Sequence, residues 1–196
     1  MTHLDAFLHV RIIIGIVTGL AISRLLTGLA RVVRRAEWQG NGTLHVGWAL
    51  FLLLFIVHFW WFELGLLKVE KWTFELYLFV IFYAILLFVV CTVLFPDDDD
   101  EYADSEESRR RQQRWFFGLL AAVFLVDLGD AVFKGSAHLA ALGSEYLVRT
   151  ALFCVLSLVA MIVGNRIFQG TFLTLGLIYQ IVWIVRQFDV GVMPSG

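Results

Sequence analysis

Charge is what this sequence is short of. Asp, Glu, Lys and Arg make up 16% of its 196 residues, where a water-soluble domain carries about 25%. So few charged side chains cannot cover a water-facing surface, which excludes an ordinary soluble domain. Proline is nearly missing as well, with two in the chain, so long helices lose their commonest interruption. The two cysteines, Cys91 and Cys154, each sit in an apolar run and are expected as buried thiols rather than a disulfide. A net charge of −2 leaves no basic surface for nucleic acid. Also absent are a Walker loop, Gly-x-Ser-x-Gly, His-Glu-x-x-His and Cys-x-x-Cys, the spacings that carry phosphate binding, acyl transfer and metal chemistry. An enzyme is therefore the less favoured reading, without being excluded, and no cofactor is expected.

What is present is apolar. Sixty per cent of the residues are hydrophobic, with 18 Phe and 7 Trp, and the mean hydropathy is +0.80. Six apolar stretches cover residues 7–33, 44–67, 72–95, 115–133, 147–164 and 171–185, each near the ~20 residues that cross a bilayer. Lipid admits only helices or closed barrels, and barrel strands alternate polar with apolar. These runs do not alternate. The expectation is an all-α, polytopic membrane bundle of about six helices, one domain over 1–196, with the bilayer as its surroundings. The start, Met1-Thr2-His3-Leu4-Asp5, lacks a basic n-region and no A-x-A site follows, so the first helix is expected to be retained.

One connection is long. Pro96 and the acidic run Asp97-Asp98-Asp99-Asp100-Glu101 end the third helix and open a charged loop over 96–114. Asp104-Ser105-Glu106-Glu107 reads as a capping box, and Glu106–Arg110 and Glu107–Arg111 are i,i+4 pairs in the favourable order. The fourth helix is therefore expected to begin in water and enter the membrane at Trp115. Arg31, Arg34, Arg35, Arg109, Arg110, Arg111, Arg114 and Arg166 fall on one side, against Lys68, Lys71, Lys134, Arg149 and Arg186 on the other. The positive-inside rule then puts both termini outside and the 97–114 loop, a candidate surface for a protein partner, in the cytoplasm.

Ionisable residues inside apolar helices are costly and face the bundle interior. They are Arg11 and Arg24 in the first helix, His58 and Glu63 in the second, Glu75 in the third, and Asp127 and Asp130 in the fourth, with the neutral Gln180 in the sixth. At 1.5 Å per residue His58 lies about 20 Å in and Asp127 about 18 Å in, while the Arg24 side chain points back toward the same level. Asp127 and Asp130 share a helix face; two such carboxylates do not both ionise readily without a cation nearby. An Arg24–Asp127 pair holding the helices together is one reading. A proton or cation pathway through Arg24, His58, Asp127 and Asp130, with Glu63 and Glu75 at its outer mouth, is the other.

Gly15, Gly19, Ser23 and Thr27 recur at four-residue intervals, a small-residue ridge that lets another helix approach closely. An internal partner is expected, with a homo-oligomer as the alternative. Three further patterns stay incomplete. Arg24, Thr27, Arg31 and Arg34 lack the regular basic repeat of a voltage sensor. His45 and His58 resemble paired haem ligands without a second pair. Asp127-Leu128-Gly129-Asp130 resembles the intramembrane aspartyl protease motif with its first glycine replaced.

Residues 19–31 (Gly-Leu-Ala-Ile-Ser-Arg-Leu-Leu-Thr-Gly-Leu-Ala-Arg), Phe59-Trp60-Trp61, Trp72-Thr73-Phe74, Phe95-Pro96-Asp97 and 114–120 (Arg-Trp-Phe-Phe-Gly-Leu-Leu) span most of the first four helices. Through them the chain resembles a family of small uncharacterised bacterial polytopic inner-membrane proteins with no assigned activity. The resemblance implies a bacterial inner-membrane location and nothing about chemistry. The sequence thus favours a small channel or transporter for protons or a small cation. A partner-dependent membrane subunit, sensor or effector working through the charged loop, and a lipid- or quinone-binding protein, are the alternatives.

Overall fold

The structure, a computed structural model, describes residues 3–35, 41–68, 73–95, 106–134 and 136–189. It is all-helical in those segments: α1 (His3–Arg35), α2 (Asn41–Phe62) continued by a 3-10 segment (Glu63–Lys68), α3 (Phe74–Leu94), α4 (Glu106–Phe133), α5 (Ser136–Ile162) and α6 (Arg166–Asp189). All six helices are long and apolar enough to cross a membrane. Uniformly apolar sequence yields helix here because lipid leaves backbone N–H and C=O groups only each other as partners.

Helix ends depart from the apolar runs where polar residues cap a helix or extend it. Thr73 caps α3, its hydroxyl accepting from the Leu76 amide at 3.3 Å, so that helix starts at Phe74 rather than 72. Helix α4 runs from Glu106, in keeping with a helix expected to begin near Ser105 ahead of its membrane entry at Trp115, and Glu106 pairs with Arg110 at 2.7 Å on its exposed first turns. Asp104, Ser105 and the acidic run 97–100 lie outside the described residues. Helix α5 begins eleven residues earlier than the apolar run at 147, across a kink at Gly143 (φ 74°, ψ 176°). That conformation is essentially open only to glycine.

Helix α4 pairs along its length with α5, and α1 lies against α3 and α2; α3 also packs on α4, and α2 on α6. Successive spans alternate in direction, so α1, α3 and α5 begin, and α2, α4 and α6 end, on one side, called here the N side. Two glutamines of α4 tie the helices together at the opposite face. The Gln112 side-chain amide donates to the Val93 and Leu94 carbonyls that end α3, at 3.0 and 3.2 Å. Gln113 donates to Ala160 and Val163 at the end of α5, at 2.7 and 3.2 Å. Helix-terminal carbonyls have no intrahelical partner, and these side chains supply one.

In that far half the core is aromatic. The Trp48 ring of α2 lies 5.2–5.5 Å, centroid to centroid, from Phe51, Phe116, Phe117 and Phe172, all edge-on. Edge-to-face contacts are the favoured arrangement of aromatic pairs. Cys91 and Cys154 are buried free thiols.

The small-residue ridge of α1 does not meet the expected internal partner. Gly19, Ser23 and Thr27 are exposed and Gly15 half-buried, and a methyl group added at Gly15 or Gly19 would meet no neighbour within 4 Å. The close approaches are made elsewhere: Gly28 lies against the Phe95 ring and Gly47 against Leu173. Helix α1 meets α3 instead through its other face, where Val10, Ile14, Ala21 and Leu25 are buried.

The kink makes a prediction. Gly143→Ala should destabilise the protein by about 1–3 kcal/mol, because alanine must enter a region closed to residues with a Cβ. Denaturant unfolding in detergent measures it, and unchanged stability would show that the kink is dispensable.

Candidate functional site: a buried ion cluster beside a polar cavity

In the N-side half, polar and charged residues lie among the aromatic ones. They reach one place because each helix contributes a stripe at three- and four-residue spacing: Phe51, Phe55, His58, Phe59 and Phe62 on α2, Phe124, Asp127 and Asp130 on α4, Tyr146, Arg149 and Phe153 on α5, and Tyr179, Gln180 and Trp183 on α6. With Glu63, these line a cavity with about 40 Å³ of space for water centres. One water needs roughly 10–15 Å³ of such space, so a few waters or one very small solute fit.

Asp127 is held on several sides. Its Oδ1 accepts from the Tyr83 hydroxyl at 3.0 Å. Its Oδ2 lies 2.9 Å from the Tyr146 hydroxyl and 3.3 Å from Arg149 Nη2. The Arg149 guanidinium sits over the Tyr146 and Trp183 rings, 4.8 and 5.2 Å from their centroids. A guanidinium on aromatic faces gains from the ring quadrupole, more so where water is scarce.

One helical turn on, Lys134 sits between two carboxylates. Its Nζ is 2.6 Å from Asp130 Oδ2 and 3.0 Å from Glu63 Oε1, with the three side chains between 1% and 7% exposed. Burial works against the lysine's charge, but Asp130 and Glu63 outweigh it and hold the ammonium's pKa above the ordinary lysine value. Each carboxylate keeps one oxygen, Glu63 Oε2 and Asp130 Oδ1, buried with no hydrogen-bond partner in the protein, and Gln180 Oε1 is in the same state. With both acids ionised the trio carries an uncompensated negative charge, which a low-dielectric interior resists. Glu63 also lines a second, smaller cavity with Phe7, Arg11, Ile14 and Trp60. It therefore stands in the wall between the two spaces.

Of the residues singled out in the sequence, His58, Glu63, Asp127, Asp130 and Gln180 come together here. His58 is half-buried, with its ring 4.9 Å from that of Phe62. Arg24 and Glu75 do not join them. Arg24 is half-buried on α1, and among the described residues the α1 and α4 backbones do not approach each other; Arg149 takes the place that the sequence reading gave to Arg24 beside Asp127. Glu75 is exposed in the first turn of α3. Arg11 lies over the Trp60 ring at 5.1 Å.

In the sequence Lys134 and Arg149 stand at helix ends, and nothing distinguishes Tyr83, Tyr146 and Trp183 from packing residues. A signal existed for Lys134, four residues after Asp130 and so on the same face. None existed for the tyrosines, since an aromatic in a membrane helix reads equally as packing. Among the described residues no group of three or more His, Cys, Asp or Glu side chains could hold a metal ion.

Comparison with known proteins gives no match to a family model, to a curated protein or to a solved structure. The fold by itself defines the class: six apolar helices that fit a multi-pass membrane protein in contact with lipid.

Removing one partner of a buried ion cluster strands the other. Lys134→Met should therefore destabilise the protein by about 3–5 kcal/mol, and Tyr83→Phe, which takes one donor from Asp127, by about 2 kcal/mol. Unfolding in detergent checks both; a Lys134→Met protein as stable as the wild type would mean the lysine's charge is not balanced by these acids.

Proposed function

We propose that this protein is a proton-handling membrane carrier whose exchange site is the Glu63–Lys134–Asp130 cluster. The observation that carries the reading is the unequal count of charges: two carboxylates share one ammonium, each with an oxygen left over. A proton on one carboxyl group removes the excess charge, and taking it up or giving it away changes which acid the lysine faces. Glu63, in the wall common to both cavities, can receive that proton on one side and pass it toward Asp130 on the other. The donor set favours a proton over a metal ion, because the Lys134 ammonium fills the space between the acids.

Asp127 suits an anchor better than a relay. Tyr83, Tyr146 and Arg149 commit both its oxygens, so exchange there would break three contacts. A carrier is favoured over a channel because the rings around Trp48 fill the far half of the bundle. Passage to that side needs those helices to move, as in alternating access. The excess of arginine flanking that far half supports a cytoplasmic orientation for it, in a bacterial inner membrane.

Proton flux into liposomes carrying the purified protein, read with a trapped pH dye, tests the proposal. Glu63→Gln and Asp130→Asn should each slow the flux on the order of a hundredfold, the scale of losing a positioned proton acceptor. Wild-type flux in both variants, or none in correctly inserted wild-type protein, would rule the proposal out.

A further inference from the structure

We infer that the cavity beside the Glu63–Lys134–Asp130 cluster is a binding site for a small ammonium-type cation, ammonium itself or a short primary alkylammonium. The inference rests on the proton-exchange reading and names the solute that exchanges against the proton.

Four features of the cavity agree on this chemistry. The first is sign: the cluster has one carboxylate more than it has ammonium groups, so the charge it lacks is positive. The second is the set of unused acceptors. Glu63 Oε2, Asp130 Oδ1 and Gln180 Oε1 are buried without a partner on residues lining this space, against two buried donors, Arg149 Nε and Trp183 Nε1, left over in the same lining. Glu63 and Asp130 are 6% and 5% exposed. An ammonium group carries N–H donors and no acceptor, which suits such a set; water offers donors but no charge.

The third feature is the wall. Phe55, Phe59, Phe62, Phe124 and Phe153 surround the acids. Aromatic faces attract a desolvated cation while offering nothing to an anion. The Lys134 ammonium, 5.9 Å from the Phe62 ring centroid, already shows a primary ammonium in this setting. A bare metal ion would need several oxygens converging at short range, whereas an ammonium accepts acids and rings together. The fourth feature is size. The 40 Å³ open to water centres excludes large amines, since benzene occupies an engineered cavity of about 150 Å³.

The exchange balances simply. An alkylammonium enters with its single positive charge, the protonated carboxyl of the cluster gives up its proton to water, and the resulting carboxylate pairs with the incoming nitrogen. Charge in the cavity is unchanged, and no covalent bond other than the carboxyl O–H is broken.

Purified wild-type protein in detergent is titrated with methylammonium by calorimetry in two buffers of different ionisation heat, which reports binding and proton release together. Saturable binding with release of about one proton is expected, with competition by ammonium and none by formate. Glu63→Gln should weaken binding by roughly tenfold or more. Infrared difference spectra of the wild type add a measurement that needs no variant: methylammonium should bleach a protonated carboxyl band. No saturable binding, displacement by formate, an unbleached carboxyl band, or unaltered affinity in a folded Glu63→Gln protein would each overturn the inference. A protein that moves protons but ignores methylammonium loses this inference alone. One that binds methylammonium without proton flux keeps the site and loses the carrier reading.

Discussion

The structure depends on how a carboxylate survives in hydrocarbon. An isolated charge there is expensive enough that it must be paired or neutralised. Asp127, Asp130 and Glu63 answer that constraint in two ways. Asp127 is surrounded by two hydroxyls and a guanidinium. Asp130 and Glu63 divide one lysine. The first arrangement is complete and locks α3, α4 and α5 to each other. The second is one cation short, and that shortfall is where chemistry can enter.

The rest of the bundle is arranged around this contrast. Packing between helices in lipid has little hydrophobic drive and relies on shape and on polar contacts. The far half supplies shape, through edge-on rings about Trp48, and is tied at its rim by Gln112 and Gln113. The N-side half supplies polar contacts and accepts looser packing, hence the cavity. A closed aromatic half thus sits next to a polar, partly empty one.

Asp127 and Asp130, in the same stripe of α4, therefore differ in how fully they are paired. Lys134 is shared by Asp130 and Glu63, so the two acids are coupled through one side chain. The Gly143 kink belongs to the same design, because it lies one turn before Tyr146 and lets α5 begin near Lys134 before continuing into the membrane.

Composition and run length by themselves determined that the chain is a bundle of six apolar helices, because lipid offers a hydrophobic segment of that length no other regular structure. They also determined that His58, Glu63, Asp127 and Asp130 face inward, since charge in a membrane helix has no other affordable place. The Glu106–Arg110 pair was legible too, as spacing along one helix suffices for it. Which cation meets which acid was not legible. Arg149 rather than Arg24 reaches Asp127, and Lys134 turns in from a helix end, because partner choice depends on the rotation and neighbours of whole helices, and a uniformly apolar sequence has no periodicity that records either. For the same reason the ridge at Gly15, Gly19, Ser23 and Thr27 could be recognised from its spacing, while only the tertiary structure decided that it faces away from the bundle.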